Sequence, residues 1–241
     1  MIEIVIPMAG EGSRFKNAGF SLPKPFIDVS GKMMIERVLD GVKVNDARYT
    51  LVIQERFLVE NLSQIKKIND EYNVQFVNVE KLTQGASCTA LAARKFINLS
   101  NLVVFVDSDN IFDNKGFNNF IIDAQMRNLD GSLLTFKSND NKFSFAKIDD
   151  EGYLIQTKEK EVISNHAIAG AYLFKNGEFF VDCVIDSLIY GDKVKNEYYM
   201  SNVYNYAIKK GLKIGIFDIP DNDFNCVGTP LQLQEYINLC C

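Results

Sequence analysis

Apolar and polar positions follow two rhythms that trade places almost to the end of the chain. An apolar run over residues 2–6, broken only by Glu3 and closed by Pro7, reads as a buried strand. A small-residue loop follows, Ala9-Gly10-Glu11-Gly12-Ser13, then Arg14 and a turn-rich piece ending in Pro23-Lys24-Pro25. Residues 33–42 switch to helical spacing, with Met34, Ile35, Val38, Leu39 and Val42 on one face. The pattern then predicts a strand at 49–53, a helix at 57–68, a strand at 74–79, a helix at 86–97, a strand at 102–106, a helix at 117–127 and a strand at 132–136. The run at 102–106 is continuously apolar, as in strands covered on both faces.

Past residue 137 the rhythm changes. Strands at 145–148 and 153–157 flank Asp149-Asp150-Glu151-Gly152, a good hairpin turn. A strand at 167–174, helices at 178–189 and 199–209, a strand at 213–218 and a last helix at 230–239 follow. Strands alternating with helices predict a Rossmann-like, doubly wound α/β sheet in three layers, parallel in its first part and mixed over the whole. No repeat, low-complexity linker or boundary interrupts the chain, so 1–241 reads as a single domain.

Composition narrows the function classes. With 241 residues, 47% hydrophobic and 24% charged, the chain is ordinary for a globular α/β domain with a sizeable core. A net charge of −5 argues against a general nucleic-acid or anionic-membrane surface, but leaves room for a local basic pocket. No apolar run reaches membrane-spanning length, and Glu3 without a basic n-region does not make a signal peptide, so a cytoplasmic location is the expectation. The five cysteines (Cys88, Cys183, Cys226, Cys240, Cys241) form no C-x-x-C pair; their odd number favours free thiols, and Cys240-Cys241 is no prenylation box. His166 is the only histidine and no nucleophile elbow accompanies it, which disfavours a hydrolase triad.

Four stretches carry candidate chemistry. A buried strand delivering a glycine loop is where open α/β sheets bind nucleotides, and glycine N–H groups can line an anion nest beside Arg14 and Lys24. The loop lacks both the third glycine of the dinucleotide fingerprint and the Gly-Lys-Ser/Thr ending of a P-loop, and a plain turn is the competing reading. The strand at 102–106 ends in Asp107-Ser108-Asp109-Asn110, whose two acids, two positions apart, point to one side of an extended chain. Such a pair suits Mg²⁺, or simply caps a turn. Gln84-Gly85-Ala86-Ser87 opens a helix, and Lys158-Glu159-Lys160 by itself reads as a solvated face.

Taken in order, these stretches resemble a family. Met8-Ala9-Gly10-Glu11-Gly12-Ser13-Arg14-Phe15, followed by Leu22-Pro23-Lys24-Pro25-Phe26, is similar to the signature of the nucleotidyltransferases that activate sugar phosphates and related alcohol phosphates. Glucose-1-phosphate thymidylyltransferases and capsule cytidylyltransferases belong to that group. Ser108-Asp109-Asn110-Ile111-Phe112 resembles the family's Gly-Asp-Asn-Ile-Phe, and Ser164-Asn165-His166-Ala167-Ile168-Ala169-Gly170-Ala171-Tyr172 its Ser-Asn-x-Ala-x-x-Gly-x-Tyr. Val227-Gly228-Thr229-Pro230 resembles Asp-x-Gly-Thr-Pro. The matches span most of the chain.

The resemblance implies the nucleotide-diphospho-sugar transferase fold, with 1–136 holding the nucleotide and 137–241 the acceptor. It implies a nucleoside triphosphate on residues 8–13 (Met8, Ala9, Gly10, Glu11, Gly12, Ser13), on Gln84, Gly85 and Ala86 at the base, and on Ser108. Arg14, Lys24 and Lys160 become the catalytic cations, with Lys160 on the acceptor phosphate. Asn110, Glu159, Gly170 and Glu197 are carried over to the substrate side, and His166, at a variable position, is structural or contacts the acceptor. Asp109 takes the Mg²⁺ role; Asp107 is added because Cys226 stands where a second metal aspartate is common, with Asp221 and Asp223 as other replacements. The short chain, Cys226 and the Gln-Gly-Ala-Ser and Asp-Ser-Asp variants favour CTP, a small phosphorylated sugar, polyol or similar acceptor, and surface-polysaccharide biosynthesis. The alternatives are dTTP or UTP with a sugar 1-phosphate, and an inactive nucleotide-binding regulatory subunit; an Asp-x-Asp glycosyltransferase fits the glycine loop poorly. Neither nucleic acid nor membrane is an expected partner, and a homo-oligomer is left open.

Overall fold

The computed structural model describes residues 1–191 and 193–240, with the backbone alone at Cys240, so the readings for the thiols of Cys240 and Cys241 lie outside the described residues. The chain runs β1 (Ile2–Pro7), α1 (Ser13–Asn17), β2 (Asp28–Val29), β3 (Lys32–Met33), α2 (Met34–Gly41), β4 (Ala47–Gln54), α3 (Glu55–Glu60), α4 (Leu62–Tyr72), β5 (Gln75–Val79) and α5 (Ala86–Ala92). It continues through β6 (Leu102–Val106), β7 (Asn110–Phe112), α6 (Asn114–Met126), β8 (Gly131–Lys137), β9 (Ser144–Ile148), β10 (Leu154–Glu159) and β11 (His166–Phe174). It ends with α7 (Gly177–Tyr190), α8 (Met200–Lys209), β12 (Ile214–Asp218), β13 (Phe224–Cys226) and α9 (Pro230–Cys240).

One mixed sheet forms the middle layer. Strands β5, β4, β1 and β6 lie side by side and parallel, with Ile4 opposite both Tyr49 and Val104. The last part of β11 joins β6 antiparallel, setting Tyr172 opposite Phe105. The far edge of β11 carries β8, which pairs in parallel with β12, while the β9–β10 hairpin meets the start of β11 at Ala167. Alternation along β1 and β6 makes the layers: Ile4, Ile6, Val104 and Val106 pack on one face with α2 and α6. Val5, Val103 and Phe105 pack on the other with α5, α7 and α8.

The expected helix at 57–68 is split. Asn61 leaves helical geometry (φ −127°, ψ 45°) and its side-chain amide donates to the Phe57 carbonyl at 3.1 Å. Apolar spacing continues across this break, so periodicity cannot reveal it. The expected helix at 86–97 ends as an α-helix at Ala92 and finishes in a 3₁₀ turn over Ala93–Lys95. Asp113 and Asn176 cap α6 and α7 by accepting from Lys115 and Gly116 N–H, and from Phe179 N–H. Among the described residues no helix is long and apolar enough to cross a membrane.

Two pieces absent from the sequence pattern position the site. Short strands β7 and β13 pair antiparallel, with Cys226 opposite Asn110, and bring the end of the chain to the C-terminal end of β6. In β11 the register shifts between Ile168 and Tyr172, around Gly170 at φ 84°. A β-carbon at Gly170 would lie 2.6 Å from Asp107 Oδ2 and closer still to the Asn110 amide. Only glycine lets these two side chains lie across β11.

Candidate active site

A cleft of about 390 Å³ opens above the C-terminal ends of β1 and β6. Its first wall is the glycine loop after β1, where Gly12 takes the left-handed conformation (φ 61°). A β-carbon there would press to 3.0 Å against Cβ of Lys24, so the loop closes onto the Pro-Lys-Pro segment because residue 12 has no side chain. Gln54 Nε2 donates to the Ala9 carbonyl at 2.7 Å, and Arg56 pairs with Glu11 at 2.8 Å, tying the loop to β4 and α3. Arg14 reaches across the cleft from α1, and its Nη1 donates to the Gly228 carbonyl at 3.4 Å.

Pro25 sits inside the 3₁₀ turn Lys24–Phe26, whose buried Phe26 anchors it and fixes where the Lys24 side chain starts. The Lys24 ammonium is bonded to Asp109 Oδ2. The Asp109 carbonyl accepts from Val227 N–H at 2.8 Å, and a β-carbon at Gly228 would lie 2.7 Å from Asp109 Oδ2. Asp107 N–H donates to the Gly170 carbonyl at 2.8 Å, and Tyr172 donates its hydroxyl to Asp107 Oδ2 at 3.4 Å. Burial, then the charges of Asp109 and Glu159, push the Asp107 carboxyl well above the usual carboxylate range. Cys226 borders the same spot: burial and then Asp109 push its thiol up to about 12, so it stands there as a neutral group.

The second wall comes from the later part of the chain. Glu159 ends β10 almost fully buried; Ser144 donates to its Oε2, as does Ser201 at 3.0 Å. Lys160 follows in the left-handed region (φ 57°) and donates from Nζ to the Tyr199 hydroxyl at 3.0 Å. Burial and then Glu197 raise the Tyr199 phenol above its usual value, so it keeps its proton. The start of α5 docks on this wall: Tyr198 N–H donates to the Gln84 carbonyl at 2.8 Å, and Ser87 donates its hydroxyl to the Tyr198 carbonyl at 3.1 Å.

Of the residues singled out in the sequence, those at 8–14, Lys24, Gly85, Ala86, Asp107, Ser108, Asp109 and Glu197 line the cleft. Gln84 does not; the wall beside it is made by Leu82, Thr83, Gly85, Ala86 and Thr89, with the two threonine hydroxyls 2.5 Å apart. Asn110 and Gly170 lie beneath Asp107, while Glu159 and Lys160 stand behind Tyr199 and Met200. His166 lies outside the cleft lining, with Nδ1 3.0 Å from Asp218 Oδ1. Asp223 is placed elsewhere too, its carbonyl accepting from Asp113 N–H before α6, and neither it nor Asp221 lines the cleft. Tyr172, Tyr199, Thr83 and Thr89 were not foreseen. For Tyr199 a signal existed, its place two residues after Glu197 at the start of a helix.

Comparisons with known proteins give the family and the fold. The model of the family described as nucleotidyl transferase matches residues 4–229. A curated relative, the bifunctional protein GlmU of Lactobacillus johnsonii, is 26% identical over 229 residues, covering 90% of this chain and 47% of its own. A GlmU of Clostridium kluyveri is 27% identical over 244 residues, covering 96% and 50%. The chain thus spans about half the length of these curated relatives. Among solved structures, a nucleoside-diphosphate-sugar pyrophosphorylase from Vibrio cholerae superposes with a TM-score of 0.83 at 22% identity, over 98% of this chain and 99% of that one. A putative glucose-1-phosphate thymidylyltransferase from Bacillus anthracis gives 0.77 at 19% identity, over 99% and 95%. The fold is therefore the nucleotide-diphospho-sugar transferase fold. With the family model running from the first strand to the segment before the last helix, the chain belongs to the nucleotidyl transferase family.

Proposed function

We propose that this protein joins a nucleoside triphosphate, with CTP favoured, to a small phosphorylated sugar, polyol or similar acceptor, and releases pyrophosphate. The observation that carries this reading is the meeting of Lys24 with Asp109, which puts the glycine loop, the Pro-Lys-Pro turn and the carboxylates after β6 in one cleft. In the reaction an acceptor phosphate oxygen forms a bond to the α-phosphorus and the bond to the β-phosphate oxygen breaks. A phosphate monoester is already largely anionic near neutral pH, so the site needs no strong general base. Positioning and charge stabilisation carry the catalysis.

The roles are those the family resemblance implies for residues in and around the cleft. N–H groups of residues 9–13 cradle the triphosphate, Arg14 grips the departing pyrophosphate, and Lys24 neutralises the α-phosphate. Gly85 and Ala86, with Thr83 and Thr89 beside them, face the base, and Gln84 shapes that wall through its backbone. Glu197 lines the cleft on the side formed after residue 137, where the acceptor enters, and Glu159 and Lys160 act on that side from behind Tyr199. The choice of CTP and of a role in surface-polysaccharide synthesis rests on the sequence variants at Gln84-Gly85-Ala86-Ser87, Asp107-Ser108-Asp109 and Cys226.

The cleft fits a divalent cation. Asp107 and Asp109 are hard oxygen donors that both line the cleft, and Gly170 and Gly228 add no side chain of their own against either carboxylate. Bound there, Mg²⁺ would draw charge from phosphate oxygens. The test is incubation with each NTP, Mg²⁺ and a panel of phosphorylated sugars and polyols. Pyrophosphate release with at least one pair is expected; silence with every pair defeats the enzyme reading. The inactive-subunit reading has one observation in its favour, the thiol of Cys226 beside Asp109. It predicts CTP binding that ignores Mg²⁺ in calorimetry.

A further inference from the structure

Lys24 carries a feature that phosphate binding does not require. Among the described residues its ammonium has one hydrogen-bond partner, Asp109 Oδ2, the carboxylate best placed to hold a cation. Both ends of the contact are closely packed. The Lys24 stem is confined by Gly12 on one side, and its ammonium lies 5.8 Å from the Phe15 ring centre. Asp109 is fixed through Val227 N–H and backed by Gly228. The side chains are only 18% and 24% exposed, so solvent and salt screen this pair less than a surface pair.

We propose that Lys24 is a placeholder for the metal: it neutralises Asp109 in the empty enzyme and gives up that carboxylate when a divalent cation arrives with the nucleotide. This inference rests on the cation site argued above. An ammonium in contact with Oδ2 and a divalent cation on the same carboxylate repel strongly in a half-buried cleft. The cation therefore has to displace Lys24, and displacement is favourable only when the released ammonium finds another anion. A triphosphate supplies it, one Lys24 reach from Asp109. Cation and nucleotide then bind with positive coupling, each tightening the other by the same factor. The free cation alone is held weakly, and Lys24 is delivered to the reacting phosphate only once the metal is in place. Lys24 is in this step a positioning residue, distinct from its later contact with phosphate.

Mn²⁺ binding, followed by the electron paramagnetic resonance of the free ion, tests the idea on the full chain with and without α,β-methylene-CTP. Without nucleotide, Lys24→Met is expected to bind Mn²⁺ at least tenfold more tightly than the parent, and Lys24→Arg, which keeps the charge, to stay weak. Asp109→Asn in the Lys24→Met background should abolish the gain. Arg14→Met removes the same charge from the cleft without touching Asp109, and should change affinity less than threefold. With the analogue, the parent should gain affinity for Mn²⁺ while Lys24→Met gains much less. Equal Mn²⁺ affinity in parent and Lys24→Met, or an equal gain in Arg14→Met, overturns the placeholder. Thermal unfolding of each variant excludes misfolding as the cause. Pyrophosphate release by the parent is scored separately. Turnover with unchanged Mn²⁺ affinities sinks the placeholder alone, and the Mn²⁺ pattern without turnover sinks nucleotidyl transfer alone.

Discussion

The backbone of Tyr198 occupies the space that a side chain on Gly85 would need. A β-carbon at Gly85 would lie 2.6 Å from Tyr198 N and closer still to its carbonyl oxygen, and Gly85 itself has φ 136° and ψ 175°, a region closed to other residues. The start of α5 and the segment before α8 thus meet backbone to backbone. This contact ties the wall proposed for the base to the wall proposed for the acceptor.

Gly85→Ala should therefore do two things at once. Backbone strain and the displaced Tyr198 segment cost about 1–3 kcal/mol of stability. Because Tyr198 lies between Glu197 and Tyr199, which both line the cleft, pyrophosphate release should fall by more than the loss of folded protein explains. Thermal unfolding and initial rates on the same preparation check this. A variant with parental stability and rate would show that the two walls move independently.

Ser201→Ala probes the acceptor side. The Ser201 hydroxyl is fully buried and donates to Glu159 Oε2 at 3.0 Å. Removing it leaves a buried carboxylate short of one donor, at a cost of about 1–2 kcal/mol. Glu159 turns away from its present orientation, and with it the neighbouring Lys160 ammonium, 3.7 Å from Glu159 Oε1. The expected result is a KM for the acceptor raised by about tenfold, at a KM for the NTP changed less than about twofold. Equal rises in both constants would assign Glu159 to general stability.

How much of this was legible from the residues depends on how far apart the partners lie in sequence. The loop at Gly10 to Arg14 and the acids at Asp107 and Asp109 could be read because strand, turn and chemistry are contiguous. Asp107 and Asp109 both line the cleft, and Cys226, which does not, stands close enough for their charges to act on its thiol. The pairing of Asn110 with Cys226 joins short strands more than a hundred residues apart, which no local pattern reports. The antiparallel entry of β11 was hidden for another reason: an apolar strand reads alike in either direction. Tyr172 was hidden because a buried aromatic on a strand has the pattern of core, and only its hydroxyl contact with Asp107 sets it apart.

Away from the cleft, Asp218 predicts an acid-dependent loss of stability. Burial works to raise its pKa, but donation from His166, Thr135 and Lys137 outweighs it and holds the carboxyl below its ordinary value of 3.8. The group is depressed on folding, so its contribution is complete above the unfolded value and is lost as pH falls through the folded one. Lys137 Nζ is 2.9 Å from Asp218 Oδ2 and Thr135 Oγ1 2.7 Å from Oδ1. Asp218→Asn should destabilise by about 1 kcal/mol at neutral pH, with partial exposure limiting the effect. Denaturant melts at pH 7 and below pH 4 should show the gap between parent and variant closing in acid. A gap that widens in acid would reverse the sign argued here.

Cys226→Asp tests whether the thiol marks a changed metal site or an abandoned one. A β-carbon at Gly228 would lie 3.5 Å from Cys226 Sγ and 2.7 Å from Asp109 Oδ2, so a carboxylate at 226 borders the same space as Asp109. Without a cation it adds a third acid to a half-buried cluster that Lys24 already has to offset, and should lower stability by about 1–3 kcal/mol. With Mg²⁺ and nucleotide the added oxygen ligand should return that loss, giving the variant a larger rise in Tm on adding Mg²⁺ than the parent shows. The parent should rise too, by less, because Asp107 and Asp109 suffice for a cation that takes only one or two carboxylates. If Mg²⁺ moves neither protein, the carboxylates after β6 do not hold a metal, and the cleft works with Arg14 and Lys24, the cations that line it among the described residues. If it moves the variant alone, the parent lost its metal at Cys226, and the inactive-subunit reading gains what the enzyme reading loses.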